Sequence, residues 1–361
     1  MKLNAPGATL LAIMLAGCAS ENSASPTPPS VSATATPVTK SGGFLTAPEG
    51  KTTLAQQGRD PAQFPGYVEQ LKAQARAQGI DAQTIDSAFA NVHFVDRVIK
   101  LDRNQPEKKI TLDDYLARVM PEKKIALARS RYQQYQRELG AVSQQYGVPP
   151  QYVVALWAME SNFGQIQGRE DIISALATLA FEGRRESFFT GELMAALKMI
   201  QQGHISAAEM KGSWAGAMGQ NQFMPSSYLR YGADGDGDGK IDIWRNTDDV
   251  FASTANYLAK EGWQASEGWG SEAVLPVDFD VKLAGIKTGQ AKSVGDWEKL
   301  GVRLSDGAAL PDTRQRAWVV LPDDMAGRAY LVYDNFRTIM RWNRSYYFAI
   351  SIGKMADAVA Q

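Results

Sequence analysis

Apolar positions recur at three- and four-residue spacing along most of this chain, which predicts a largely helical protein. FPGYVEQLKAQARAQGI, from Phe64, carries one such stripe and stops at Gly79; Asp81 then stands where a side chain caps the next helix, DAQTIDSAFANV. A third helix, charged outside and apolar on one face, is expected from about Pro121 to Tyr146. The stretch before it, ITLDDYLARVM, reads as a connection, and its Tyr115 suits either a core or a site. ISALATLAFEGRRESFFTGELMAALKMIQQG predicts two helices broken near Glu182 and Gly183.

The period then changes. Between about Glu272 and Val332, AVLPVDFDVKL, RAWVVLP and AYLVYD alternate or run as short β-rich segments bounded by Gly, Pro and Asp. These predict a small antiparallel sheet inserted before a polar, aromatic turn and a C-terminal helix in FRTIMRWNRSYYFAISIGKMADAVA. The fold class is therefore α+β, mainly α. The expected division is a leader at 1–18, a tether at 19–60, an all-helical unit at 61–146, a helical core at 147–264, a β unit at 265–334 and a return to the core at 335–361.

One helix end concentrates chemistry. In PPQYVVALWAMESNFG, Pro149 and Pro150 suit a helix start, and Val153, Leu156, Trp157 and Glu160 fall on one face. A carboxylate is thus set on an apolar stripe just before Ser161, Asn162 and Gly164 end the helix. Burial and the negative end of the helix dipole both disfavour its charged form, the state a general acid requires. The structural alternative is a Glu paired with an Arg. Arg184 and Arg185, at the predicted helix break, are either a solvated helix start or a pair facing an anionic or hydroxyl-rich ligand.

Two further stretches carry candidate chemistry. GSWAGAMGQNQFMPSS, Gly212 to Ser227, combines small residues that permit close backbone approach with the amides Gln220, Asn221 and Gln222 and the aromatic faces of Trp214 and Phe223. Amides and flat apolar faces suit a sugar; a tight helix–helix contact is the structural reading. DGDGDGKIDIWRNTDD supplies Asp234, Asp236, Asp238, a bend at Gly239 and the Lys240 carbonyl, the first half of an EF-hand loop. Arg245 stands where the closing Glu belongs, so Asp248 or Asp249 has to complete a structural Ca²⁺ site; an empty Asp/Gly turn is the alternative.

Composition narrows the partners. The chain has 361 residues, 44% hydrophobic and 21% charged, with net charge −1 and a pI of about 6.2, so nothing global favours nucleic acid. His93 and His204 are the only histidines and have no clustered ligands, which argues against a zinc hydrolase or a histidine triad. No phosphate-binding glycine loop occurs, and no organic cofactor is expected. Cys18, the sole cysteine, follows Leu15-Ala16-Gly17 and a short apolar run from Ala8. The run reads as the core of a signal peptide, and LAGC resembles a lipoprotein signal in which Cys18 becomes lipidated. Ala19 after it resembles the sorting signal for the outer membrane. The Ser, Thr and Pro-rich segment that follows reads as a disordered tether.

ALWAMESNFG, ALATLAFEGRRESFF, GSWAGAMGQNQFMPSSY, DGDGDGKIDIW, ANYLAKEGW and RWNRSYYFAISI, in that order, resemble the membrane-bound lytic murein transglycosylase B family over roughly residues 61–361. The resemblance implies a lysozyme-like core between a helical domain and a small β domain. It implies cleavage of the β-1,4 MurNAc–GlcNAc bond of peptidoglycan with 1,6-anhydro ends, by a single acid/base that falls on Glu160. It places the active-site serine on Ser213 and glycan contacts on Tyr115, Arg184, Arg185, Gln222, Phe223, Tyr257 and Asn343. Calcium ligands fall on Asp234, Asp236, Asp238, the Lys240 carbonyl and, best, Asp249. Two family tyrosines are Trp342 and Phe348 here. The implied protein is a monomer on the periplasmic side of the outer membrane, held by its lipid and acting on glycan strands. A lysozyme-like muramidase and a non-catalytic wall-binding lipoprotein are the competing readings.

Overall fold

The computed structural model describes residues 58–103, 110–311 and 313–361, so Cys18, the leader and most of the expected tether lie outside the described residues. No helix among the described residues is long and apolar enough to cross a membrane. The helices are α1 Phe64–Ala77, α2 Ala82–Phe89, α3 Asp96–Arg103, α4 Leu112–Val119, α5 Glu122–Gln134, α6 Gln136–Tyr146, α7 Pro150–Ser161, α8 Ile172–Glu182, α9 Glu186–Gln201, α10 Pro225–Tyr231, α11 Thr247–Lys260, α12 Val294–Lys299, α13 Asp334–Trp342 and α14 Tyr346–Ala360. Asp81 caps α2 as expected, accepting the Thr84 N–H at 2.7 Å.

Three helical expectations are corrected. The long third helix is two, broken where Tyr135 leaves helical geometry (φ −106°, ψ 24°) and its ring lodges against Trp157 and Phe251. The supposed connection ITLDDYLARVM is helix α4, started by Thr111, whose hydroxyl accepts the Asp114 N–H. The aromatic turn before the last helix is mostly α13. Nor do the N-terminal helices form a core of their own: Phe64, Leu71 and Ile85 join the same buried cluster as Leu156 and Ile350.

At the centre lies α7, packed against α14, α5, α6 and α11. Every residue from Tyr152 to Met159 is buried. The expected single apolar stripe is therefore corrected to a helix apolar all round, as a central helix must be.

The β strands are β1 Glu170–Asp171 and β2 Lys211–Gly212, paired with each other, and β3 Gly270–Val274, β4 Lys292–Ser293, β5 Arg303–Leu304, β6 Arg316–Val320 and β7 Ala329–Val332. The last five form one antiparallel sheet in the order β4-β6-β7-β3-β5. Of AVLPVDFDVKL, only Ala273 and Val274 are strand; the rest turns away through Pro276. The apolar run in β6 follows from burial on both faces. Trp318, Val320, Tyr330 and Val332 face the main core. Ala317, Val319 and Leu331 alternate into a second small core around Trp297 and Phe279. The sheet is docked to α14 at Gly353, where a Cβ would fall 2.1 Å from the Trp269 ring; the Trp269 N–H donates to Asp357 at 3.0 Å.

Candidate active site

Glu160 is the next-to-last residue of α7 and stays partly accessible while its neighbours are sealed. The helix ends with Asn162, Phe163 and Gly164 all at positive φ (49°, 59° and 80°). For a phenylalanine that geometry is strained. Two interactions hold it: Phe163 is buried against Trp157, ring centres 5.3 Å apart, and the Gly164 N–H donates to Ser161 Oγ at 2.9 Å. The Glu160 carboxyl thus sits on a rigid support at the end of a helix buried along most of its length.

Loss of water pushes the Glu160 pKa up to about 8. Two groups pull the other way: the indole N–H of Trp342, which donates to Oε1 at 2.8 Å, and the ammonium of Lys124. The expected apolar neighbours are therefore only part of the environment. An oxygen already accepting an N–H is the better carbonyl partner, so the acid proton belongs on Oε2. Because the Trp342 N–H favours the carboxylate, Trp342→Phe should raise the Glu160 pKa further. The basic limb of kcat/KM against pH should move up by about one unit; an unmoved limb would show that this hydrogen bond does not tune the acid.

Trp342 ends α13 and opens an aromatic wall. Its ring lies 4.6 Å from Tyr257 and 5.2 Å from Phe223, and Phe223 and Tyr257 are 5.9 Å apart. Such faces suit the C–H faces of a sugar ring. Tyr115 approaches from α4: burial pushes its phenol up to about 12, Ser351 bonds to it, and the charge of Glu160 reaches it. Its ring stands 5.5 Å from that of Tyr347. Asn343, directly after Trp342, keeps a buried Oδ1 with no hydrogen-bond partner among the described residues. Phe348 is buried in the core and takes no polar part.

The side chains of Gly212 to Ser227 divide into two groups. Ser213 Oγ accepts the Ala217 N–H at 3.0 Å, which leaves its own proton for an acceptor. Gln220 is structural: its Oε1 accepts from Trp157 Nε1 at 2.7 Å and its Nε2 donates to the Trp244 carbonyl at 3.1 Å. Asn221 donates to Val250 O and Thr254 Oγ1 and is buried. The sugar-binding reading of these two amides is corrected accordingly. Gln222 stays partly exposed at positive φ (51°), donating Nε2 to the Gly219 and Gln167 carbonyls.

Arg184 and Arg185 are neither a solvated pair nor free ligand groups. Both reach buried Asp102 from α3, Arg185 at 2.6 Å, and Arg184 also donates Nε to Glu182 Oε1 at 2.8 Å, an oxygen that Arg103 shares. Desolvation of Glu182 is outweighed by hydrogen bonds from Arg184 and Arg103, which hold its pKa down. These arginines tie α3 to the α8–α9 break.

In the acidic loop, Asp234, Asp236 and buried Asp249 bring one carboxylate oxygen each within 4.8 Å of one another. Asp249, not Asp248, closes the set. Burial raises the Asp249 pKa, as do Asp236 and Asp234, against hydrogen bonds from the Gly235 and Asp242 N–H groups. Three converging carboxylates, one fully buried, fit a hard cation. Asp238 stands outside this trio, its Oδ1 accepting the Lys240 N–H at 2.8 Å.

Sequence reasoning missed Lys124, taken as part of a charged helix exterior, and gave Trp342 no role. The signals for Trp342 were its place at a family tyrosine and the dense polar-aromatic run RWNRSYYF between two apolar helices.

Comparison with known proteins gives consistent likenesses. A model described as "Transglycosylase SLT domain" matches residues 63–357. The chain is 30% identical to membrane-bound lytic murein transglycosylase B of Escherichia coli (strain K12), covering 97% of this chain and 96% of that protein. Among solved structures, SltB3 from Pseudomonas aeruginosa in complex with NAG-anhNAM-pentapeptide is 43% identical, with a TM-score of 0.78 over 82% of this chain and 79% of that one. The Escherichia coli lytic transglycosylase Slt35 in complex with calcium is 30% identical, with a TM-score of 0.72 over 86% and 98%.

Proposed function

From the fact that this chain belongs to the transglycosylase SLT domain family, and is a peptidoglycan lytic transglycosylase with a mainly helical, lysozyme-like α+β fold, we propose that Glu160 alone runs both proton transfers of the reaction. Protonated at neutral pH, Glu160 gives its proton to the glycosidic oxygen as the C1–O bond of the muramyl unit breaks. The resulting carboxylate takes the proton of the muramyl 6-hydroxyl as O6 bonds to C1. The products are a free GlcNAc hydroxyl and a 1,6-anhydro ring; no water is consumed and the acid is restored.

The observation that carries this reading is a desolvated Glu160 whose polar neighbours are Trp342, Lys124 and Tyr115, none of them a carboxylate. A glycosidase that uses an enzymic nucleophile or an activated water needs a second acid group; a substrate that attacks itself does not. In this reading Ser213, whose proton is uncommitted, orients the N-acetyl carbonyl, and the Phe223–Tyr257–Trp342 wall stacks a ring. Asn343, Gln222 and Tyr115 complete the polar contacts, with Arg184 and Arg185, held by Asp102, as further glycan contacts. Asp234, Asp236 and Asp249 hold a structural Ca²⁺ that neutralises their mutual repulsion; the calcium complex of Slt35 supports that choice. The NAG-anhNAM complex of SltB3 supports an anhydro product. Lipidation at Cys18 and an outer-membrane address remain part of the proposal, supported by LAGC and by the membrane-bound Escherichia coli relative.

Digestion of purified murein followed by mass measurement of the glycan ends tests this. Muropeptides lighter by one water than a reducing end are expected. Hydrated ends would establish a muramidase, and no new ends a binding lipoprotein.

A further inference from the structure

Lys124 is placed against three local rules at once. It occupies the first turn of α5, where the positive end of the helix disfavours a cation. It is partly buried although its neighbours Glu122 and Lys123 are exposed, because it lies one turn before the fully buried Ala128 on the face that α5 turns toward α7 and α14. Its ammonium makes no hydrogen bond or ion pair within 4 Å among the described residues, whereas several basic groups on the surrounding helices are engaged. Arg129 donates to the Ala358 carbonyl, Lys354 pairs with Glu272, Arg341 with Glu261 and Lys260 with the Arg230 carbonyl. A half-buried unpaired amine at the wrong end of a helix costs stability, and sites that break several local rules together are where function is expected.

α5 packs directly on α7, which carries Glu160 near its end, and across that contact the Lys124 and Glu160 charges act on each other. Three other charged groups on the helices packed around them are committed elsewhere, whereas Glu122, Lys123, Asp114, Arg118 and Asp248 lie on the same helices. Arg137 pairs with Glu138 on α6, Asp249 on α11 belongs to the metal loop, and Asp357 on α14 accepts from Trp269. Tyr115 is the other titratable group that senses Glu160.

We propose that Lys124 is a positioning residue of the reaction, its ammonium held within electrostatic reach of Glu160 but short of an ion pair. The separation serves both halves of the cycle. A direct salt bridge would keep Glu160 ionised and end its use as an acid. A cation one step further away leaves the acid protonated at rest, then stabilises the carboxylate formed once the glycosidic oxygen has taken the proton. The inference rests on Glu160 being the acid/base.

The test compares wild type, Lys124→Met and Lys124→Arg in two ways. Carbon-detected NMR titration of labelled glutamate reads the Glu160 pKa without substrate, assigned by its loss in Glu160→Gln. Lys124→Met should move it upward by about half a unit or more and Lys124→Arg should restore it. On purified murein, Lys124→Met should lower kcat about tenfold with little change in KM, and shift the basic limb upward to match the titration. A Glu160 titration that superimposes on wild type overturns the inference, as does a Lys124→Met enzyme whose turnover loss follows only its melting temperature. A wild type that titrates as expected yet releases no anhydro ends would instead sink the transglycosylase chemistry.

Discussion

Glu160→Gln is expected to remove turnover of murein by about three orders of magnitude or more, because it deletes the acid of the first step and the base of the second together. Nothing near the site can stand in: Trp342 only donates, Lys124 is a cation, and burial holds the Tyr115 phenol at about 12. The amide keeps an oxygen for the Trp342 N–H, so binding of glycan should survive. Stability gives an independent check through the sign of the pKa shift. The folded protein raises the Glu160 pKa from 4.5 to about 8, so the native state holds its proton more tightly than the unfolded chain. Wild-type stability must therefore fall as pH climbs from 4.5 to about 8, where the folded protein is forced to ionise a desolvated group. The glutamine variant has no proton to lose. It should melt close to wild type at pH 5 and above it at pH 9, while wild-type activity declines beyond about pH 8. A variant that unfolds at pH 6, or that melts lower than wild type at pH 9, would mean that Glu160 is a structural group.

How much of this was readable beforehand follows the distance over which each feature is decided. The acid was legible because its cause is local: an apolar helix, a carboxylate near its end and Ser161-Asn162-Phe163-Gly164 to stop it. The α8–α9 break and the cap at Asp81 were legible for the same reason. What sequence could not resolve depends on partners far along the chain. The Trp342 hydrogen bond to Glu160 spans 182 positions, and the Arg185 pair with Asp102 spans 83. A tryptophan read at a tyrosine position suggests a lost hydroxyl; only the fold shows an indole N–H delivering the donor instead. Gln220 and Asn221 carry the same chemistry as Gln222, and only packing decides that two of the three amides are spent on Trp157, Trp244, Val250 and Thr254. The split at Tyr135 is likewise tertiary, since its ring is drawn in by Trp157 and Phe251.

The acidic loop offers the second large effect, and it should fall on stability instead of chemistry. Asp249 cannot relax away from Asp234 and Asp236, because its oxygens accept the Gly235 and Asp242 N–H groups at 2.7 and 2.6 Å. The loop is also fastened to the site floor: the Gln220 N–H donates to Ile243 O and its side chain to Trp244 O. Calcium at a hundredfold excess over its Kd would stabilise the native state by about 2.7 kcal/mol, on the order of 5 °C in melting temperature for a chain of this size. Chelation should remove that increment, and the melting temperature should climb again as calcium is titrated back. Asp249→Asn keeps an oxygen for one of the two N–H groups but removes the buried charge, so it should melt at one temperature with or without calcium. Turnover per folded molecule should change less than about twofold in either case, since Glu160 and Trp342 are held by α7 and α13, outside the loop. A wild type whose melting temperature ignores calcium would show that the three aspartates form only a turn. A loss of kcat at temperatures where the calcium-free protein is still fully folded would show instead that the loop reaches further into the site than its hydrogen bonds to Gln220 account for.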